Sequence, residues 1–186
     1  MSTPLLKRLR NKEAEYSKVR RFKKTLEFVS ASITPPSKIL DIGTPNALSQ
    51  HFKEHGFHVE NTKEVDLDFH PDCLIEYNNF EAATAFEIFE HLINPMGVLQ
   101  NIPTNRLFTS IPLDLWFSKA YRNKSNEWDQ HFHEFEDWQF NWLLNKSGWE
   151  VIRKEKFTNP ALIPGFRPFL RLFTPRYYIV EAIRKP

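Results

Sequence analysis

Cysteine is nearly missing from this chain. The single thiol, Cys73, rules out an internal disulfide and a cysteine-built zinc site. Excess charge is missing too. The balance of 25 Lys and Arg against 23 Asp and Glu leaves a formal net charge of +2, which argues against a strongly electrostatic nucleic-acid binder. No apolar run approaches the roughly 20 residues a membrane helix needs, and Met1–Glu15 lacks the apolar core of a signal peptide. A soluble cytoplasmic protein without membrane attachment is therefore expected. Internal repeats, low-complexity tracts and domain linkers are also absent, and 186 residues suit one domain with a genuine core.

What is present in abundance is aromatic. Rings make up 15% of the chain, with 17 Phe among them, enough to fill a core and also line a pocket for a flat ligand. Basic residues concentrate at one end: nine Lys and Arg fall between Lys7 and Lys24. They sit among Leu5, Leu6, Leu9, Tyr16, Val19, Phe22, Leu26 and Val29, whose spacing predicts a helix over 5–33. Such a helix presents either a solvated face or a patch that draws an anionic substrate or polymer. Pro35-Pro36 ends it. Residues 1–36 thus read as a helical extension packed on a domain spanning 37–186.

Beyond it, strands and helices alternate. Lys38–Thr44 reads as a buried strand, 45–55 as a helix closed by Gly56, and Phe57 opens a second strand. Glu81–Phe86 is a third strand, followed by a helix from Ile88 to Gln100. Arg106–Ile111 is a fourth strand, Phe135–Lys146 a helix, and Trp149–Phe157 and Tyr177–Arg184 two final strands. Alternation of this kind implies an α/β domain, its sheet mainly parallel and covered by helices on both faces. The late pair of strands suggests an antiparallel end. The Pro-rich link at 158–176 reads as a lid with a short helix at 166–173, where Arg167 and Arg171 clamp an anion or carry ordinary surface charge.

In such a sheet the ligand lies beyond the carboxyl ends of the strands, where backbone N–H groups of the first turn converge. Asp41-Ile42-Gly43 occupies that turn. The order KILDIGTPNALSQHFKEHGFHVE, FEAATAFEIFEHLINPMGVLQNI, RLFTSIP and HFHEFEDWQFNWLLNKSGWEV resembles the class I, Rossmann-like S-adenosylmethionine-dependent methyltransferases. The small members similar to ubiquinone-pathway O-methyltransferases are the nearest in pattern. The resemblance spans about 38–184 and implies a seven-stranded-type sheet whose final strand is antiparallel. It also implies S-adenosylmethionine as cofactor and a small-molecule methyl acceptor as partner, with transfer to oxygen or nitrogen. Asp41 and Gly43 match the first-strand motif, Glu60 the acid that binds ribose hydroxyls (with Asn61 as a possible partner), Asp66 the residue at the adenine amine, and Phe86 and Glu87 the contacts after the adjacent strand. A carboxylate suits ribose because it accepts from two hydroxyls. Thr44-Pro45-Asn46-Ala47 departs from the family's Gly-rich loop and narrows the cradle, unless Pro45 simply opens the helix. This departure leaves open a second reading, a degenerate member with a binding or scaffold role; a third, a nucleic-acid methyltransferase, rests on the basic N-terminal helix and the acidic face at Glu87 and Glu90.

Glu87, Glu90 and His91 fall on one face of the expected helix. Their spacing also resembles a divalent-metal site found in some O-methyltransferases, which His131 or His133 would complete. The alternative has the two acids favouring the helix N-terminus and His91 orienting a loop, and no metal is assigned. With an ordinary pKa of about 6.5, a pocket imidazole can take the acceptor's proton. His133 is the first candidate for that base and His91 the second. Trp116, Trp128 and Trp138 either wall the pocket or pack in the core.

Overall fold

The computed structural model describes residues 4–126, 128–158, 169–170 and 173–186. Helix α1 (Pro4–Ser30) precedes β1 (Lys38–Asp41), α2 (Ala47–Glu54) and β2 (His58–Asn61). Then come β3 (Ala82–Phe86), α3 (Pro95–Asn101), β4 (Arg106–Pro112), α4 (Asp137–Lys146), β5 (Trp149–Phe157) and β6 (Tyr177–Arg184), with 3₁₀ turns at Pro71–Glu76 and Phe89–His91. The sheet runs β2-β1-β3-β4-β6-β5. Its first four strands are mutually parallel, and β6 is antiparallel to both neighbours. The expected α/β class and antiparallel end are both present.

Each face of the sheet carries its own core, and the pleat decides which residue serves which. Tyr177 and Ile179 join Phe28, Val29, Ile33, Ile39, Phe52, Phe57 and Phe108 on one side. Tyr178, Val180 and Ala182 join Phe89, Leu99, Leu107, Phe140 and Trp149 on the other. Alternation along β6 follows from side chains pointing to opposite faces at successive residues. With both faces covered, β6 is buried from Tyr177 through Ala182. Trp149 satisfies its indole by donating to the Leu99 carbonyl at 3.0 Å, and the Arg184 guanidinium lies over its ring.

The second half of α1 belongs to this core through Thr25, Phe28 and Val29, and Ile33 joins them just beyond its end. A buried carboxylate fastens it. Glu181, 2% exposed, accepts from Ser32 Oγ at 2.6 Å, Arg106 Nη1 at 2.9 Å and Arg153 Nε at 2.9 Å. Arg153 also stacks on Phe28 and donates to its carbonyl.

Three expectations need correction. The helix expected from Ile88 to Gln100 is broken: a 3₁₀ turn ends at His91 and α3 starts only at Pro95. Pro95 disfavours helical backbone at Asn94, which instead caps α3. The Asp68 carboxylate holds the break open, accepting from the N–H groups of Ile93 and Asn94 at 3.0 and 2.7 Å. Second, the sheet has six strands among the described residues, where a seven-stranded type was expected. Residues 62–80 form a loop and a 3₁₀ turn beyond edge strand β2. Third, β1 stops at Asp41 and α2 starts at Ala47, so Pro45 precedes the cap and is not the first helical residue. The lid helix expected at 166–173, with Arg167 and Arg171, lies largely outside the described residues.

Candidate functional site

The order of strands reverses between β1 and β3, since the chain leaves β1 for β2 on one side and returns to β3 on the other. A crevice forms at such a point beyond the carboxyl ends of the strands. Asp41 sits there, 6% exposed, in register with Thr84 of β3 and Asn61 of β2. Its carboxylate accepts from Thr84 Oγ1 at 2.7 Å, Asn61 Nδ2 at 2.9 Å and Asn46 Nδ2 at 3.3 Å. Burial nevertheless outweighs these bonds and pushes its pKa up from 3.8 to about 6. Asn61 Oδ1, buried beside it, has no donor.

The turn after Asp41 is shaped with little glycine. Gly43 takes φ +112°, a conformation only glycine adopts readily, and donates to Thr62 Oγ1 at 2.9 Å. Asn46, in extended conformation, then caps the helix that follows. Its side chain accepts from the N–H groups of Leu48 and Ser49, and Ser49 Oγ accepts from the N–H of Asn46. This reciprocal cap starts α2.

Phe86 and Glu87 form the opposite wall. Phe86 stacks on Phe52 with ring centroids 6.1 Å apart. Glu87 holds a left-handed φ of +55°, a strain of roughly 1–3 kcal/mol for a residue with a Cβ. Its N–H donates to the Ser110 carbonyl, its Oε1 accepts from Ser110 Oγ at 2.7 Å, and its Oε2 lies 3.5 Å from Arg21 Nη1. Between the walls is a cavity of about 380 Å³, floored by Asp41 and Ile42 and roofed by Lys18, Arg21 and Phe22 of α1.

Of the residues assigned to a cofactor from sequence, Asp41, Phe86 and Glu87 line this cavity, and Gly43 adjoins it. Glu60 is exposed on edge strand β2 and lines a different groove, of about 610 Å³, with Lys38, Lys53 and His58. Asp66 lies in the loop after β2, its side chain accepting from the Asp68 N–H. Sequence reasoning missed Asn46, Thr84 and the roof from α1. The pattern Asn46-x-x-Ser49 was a readable capping signal, whereas contacts of α1 across the sheet leave no local trace.

The acids and imidazoles are arranged differently from the expected helical face. Glu87 turns away in its left-handed conformation, and only Glu90 and His91 share the 3₁₀ turn. The Glu90 carbonyl accepts from the N–H groups of Phe132 and His133, which brings the two segments together. Glu90 is 1% exposed, and burial, then the nearby Glu87, raises its pKa well above the carboxylate range. Burial lowers the pKa of His91. His91 Nδ1 faces the Gln130 carbonyl at 3.0 Å, and its ring meets that of His131 edge-on with centroids 5.1 Å apart. His133 stacks on Phe135, with Nε2 3.4 Å from the Ile93 carbonyl. Neither His91 nor His133 lines the 380 Å³ cavity. Trp116, Trp128 and Trp138 are 75%, 67% and 58% exposed, so they neither wall that cavity nor pack in the core. No helix among the described residues is long and apolar enough to cross a membrane.

No protein-family model and no curated protein matches this sequence. Solved structures do. The chain is similar to a SAM-dependent methyltransferase from Archaeoglobus fulgidus, with a TM-score of 0.61 and 13% identity over 89% of this chain and 94% of that one. It is similar to the 4+2 cyclase SpnF, with a TM-score of 0.57 and 14% identity over 89% and 81%. It is also similar to Haemonchus contortus phosphoethanolamine N-methyltransferase 2 in complex with S-adenosyl-L-methionine, with a TM-score of 0.56 and 11% identity over 88% and 53%. At these identities the likeness is one of fold, and the cyclase among them is a reminder that a fold does not fix a reaction.

Proposed function

This chain has the class I methyltransferase fold, and we propose that it binds S-adenosylmethionine in the α1-roofed cavity and transfers the methyl group to an oxygen or nitrogen of a small-molecule acceptor. The observation that carries this reading is the position of the cavity. It lies at the switch point between β1 and β3, and its volume falls in the roughly 300–1,000 Å³ range of small-molecule sites. Its chemistry supports the same reading. A buried carboxylate, Asp41, stands on the floor, a buried acceptor, Asn61 Oδ1, lacks a donor beside it, and Arg21 faces Glu87 across the mouth. These groups suit a ligand that carries both a cation and a carboxylate.

When bound, the cofactor supplies an already activated methyl group, so most of the rate comes from positioning. Asp41 holds the turn through Asn46 and Asn61, and a cation beside it favours its ionised form. Phe86 offers an apolar edge, and Glu87 fixes the carboxyl end of β3 against Ser110. Helix α1 excludes water from above, which makes the first 36 residues part of the working unit. His91 and His133 stand off the cavity, on the segments where an acceptor would approach.

Calorimetric titration with S-adenosylhomocysteine tests the reading. Saturable binding at a single site is expected, weakened by Glu87→Ala. Absence of binding at millimolar ligand would instead favour a methyltransferase-fold protein without turnover, the reading for which the glycine-poor turn speaks.

A further inference from the structure

The charge of this chain is segregated. Nine Lys and Arg against three Glu give α1 a net +6. The rest of the chain holds 16 Lys and Arg against 20 Asp and Glu, a net −4. The small overall balance conceals a basic helix on an acidic body. We propose that the outward face of α1 is a docking surface for single-stranded nucleic acid.

Placement along the helix carries the argument. Arg8, Lys12, Tyr16, Val19 and Lys23 follow one another at intervals of three or four residues, so they share one face over about 22 Å. All five are exposed, Tyr16 at 46% and Val19 at 59%. The core takes the other side of the helix, through Thr25, Phe28 and Val29. Arg21 and Lys24 are committed to Glu87 and Glu155. Arg8 and Lys12 have no acidic partner among the described residues. Lys23 meets only Glu27, at 3.8 Å, with both side chains largely in solvent.

Cations spaced along one face follow a phosphate backbone, and an exposed ring between them gives a base a surface to stack on. Stacking needs an unpaired base, which selects a single strand over a duplex. A second copy of the chain is a poor occupant, because two helices of this charge repel. An anionic bilayer is another, because a helix lying in lipid needs a continuous apolar face, and here Tyr16 and Val19 stand among three cations. The acidic body confines the strand to α1. Lys18 and Arg21 of the same helix roof the cavity, so a docked strand lies beside the proposed cofactor site. Docking itself needs neither cofactor nor turnover.

The test follows the fluorescence anisotropy of a labelled, mixed-sequence RNA strand of roughly 20 nucleotides, titrated with the full chain without cofactor. Micromolar binding is expected in about 50 mM salt, and log K should fall against log salt with a slope of about −2, for three phosphates at roughly 0.7 each. Lys12→Glu should weaken binding ~10-fold. Tyr16→Ala should cost roughly as much, and Tyr16→Phe should restore it. Lys154→Glu, the same reversal at an exposed position of β5, should change nothing. Absence of RNA binding at that salt overturns the proposal. An equal loss in Lys12→Glu and Lys154→Glu does so too, as does binding to phosphatidylserine vesicles in place of RNA. Lys12, Tyr16 and Lys154 do not line the α1-roofed cavity, so S-adenosylhomocysteine binding should be the same in every variant, and its failure would speak against the cofactor reading alone.

Discussion

Asp41 shows how a single side chain couples folding to pH. Burial holds its carboxyl at about 6 when folded, against an ordinary 3.8. Between those values the folded chain keeps a proton that the unfolded chain has released, so stability falls as pH rises from about 4 to 6 and stays lower above. The shift corresponds to about 3 kcal/mol. Urea unfolding of wild type and Asp41→Asn across that window should therefore show a gap that changes with pH by about this amount, with the variant gaining relative to wild type toward neutrality. A pH-independent gap would contradict the burial argument. Glu87 offers a second reading at one residue. Its left-handed backbone makes Glu87→Gly more stable than Glu87→Ala by about 1 kcal/mol, measured as the difference in denaturation midpoints, while both variants lose affinity for S-adenosylhomocysteine. At this scale the sequence was partly legible. Asp41, Phe86 and Glu87 could be placed from a strand end and a resemblance. Where His131 and His133 stand relative to His91 could not be placed, because it depends on how the Glu90 carbonyl accepts from the N–H groups of Phe132 and His133.

Elements were more legible than single contacts. The strands announced themselves as short apolar runs, and β4, β5 and β6 lie where the sequence placed them. The helix after β3 was over-extended because apolar residues at helical spacing continue through Ile88–Leu99, although Pro95 carried the contrary signal. What sequence could not reveal is how α1 is fastened. Glu181 on β6 accepts from Ser32, Arg106 and Arg153 at once, across 149 residues in the case of Ser32. Removing its carboxylate leaves two half-buried guanidinium groups without their acceptor, so Glu181→Ala should cost roughly 3 kcal/mol in chemical denaturation. A loss below about 0.5 kcal/mol, typical of exposed ion pairs, would show that the network does not hold α1 to the sheet.

For the whole molecule, composition and alternation were enough to reach a mixed sheet with an antiparallel end, because each buried strand must find cover on both faces. That Glu60 and Asp41 face different spaces was not readable, since it depends on the β1–β2 register, which sets Asp41 beside Asn61 and leaves Glu60 one position away beside Leu40. The central claim is that the cofactor lies between α1 and the carboxyl ends of β1 and β3. Backbone hydrogen exchange with and without S-adenosylhomocysteine tests it most directly. Protection is expected at 18–25, 43–48 and 86–88, where α1, the Asp41 turn and the end of β3 meet. Protection confined to the β2 edge around Lys38, Lys53 and Glu60, or none at all, would contradict the account.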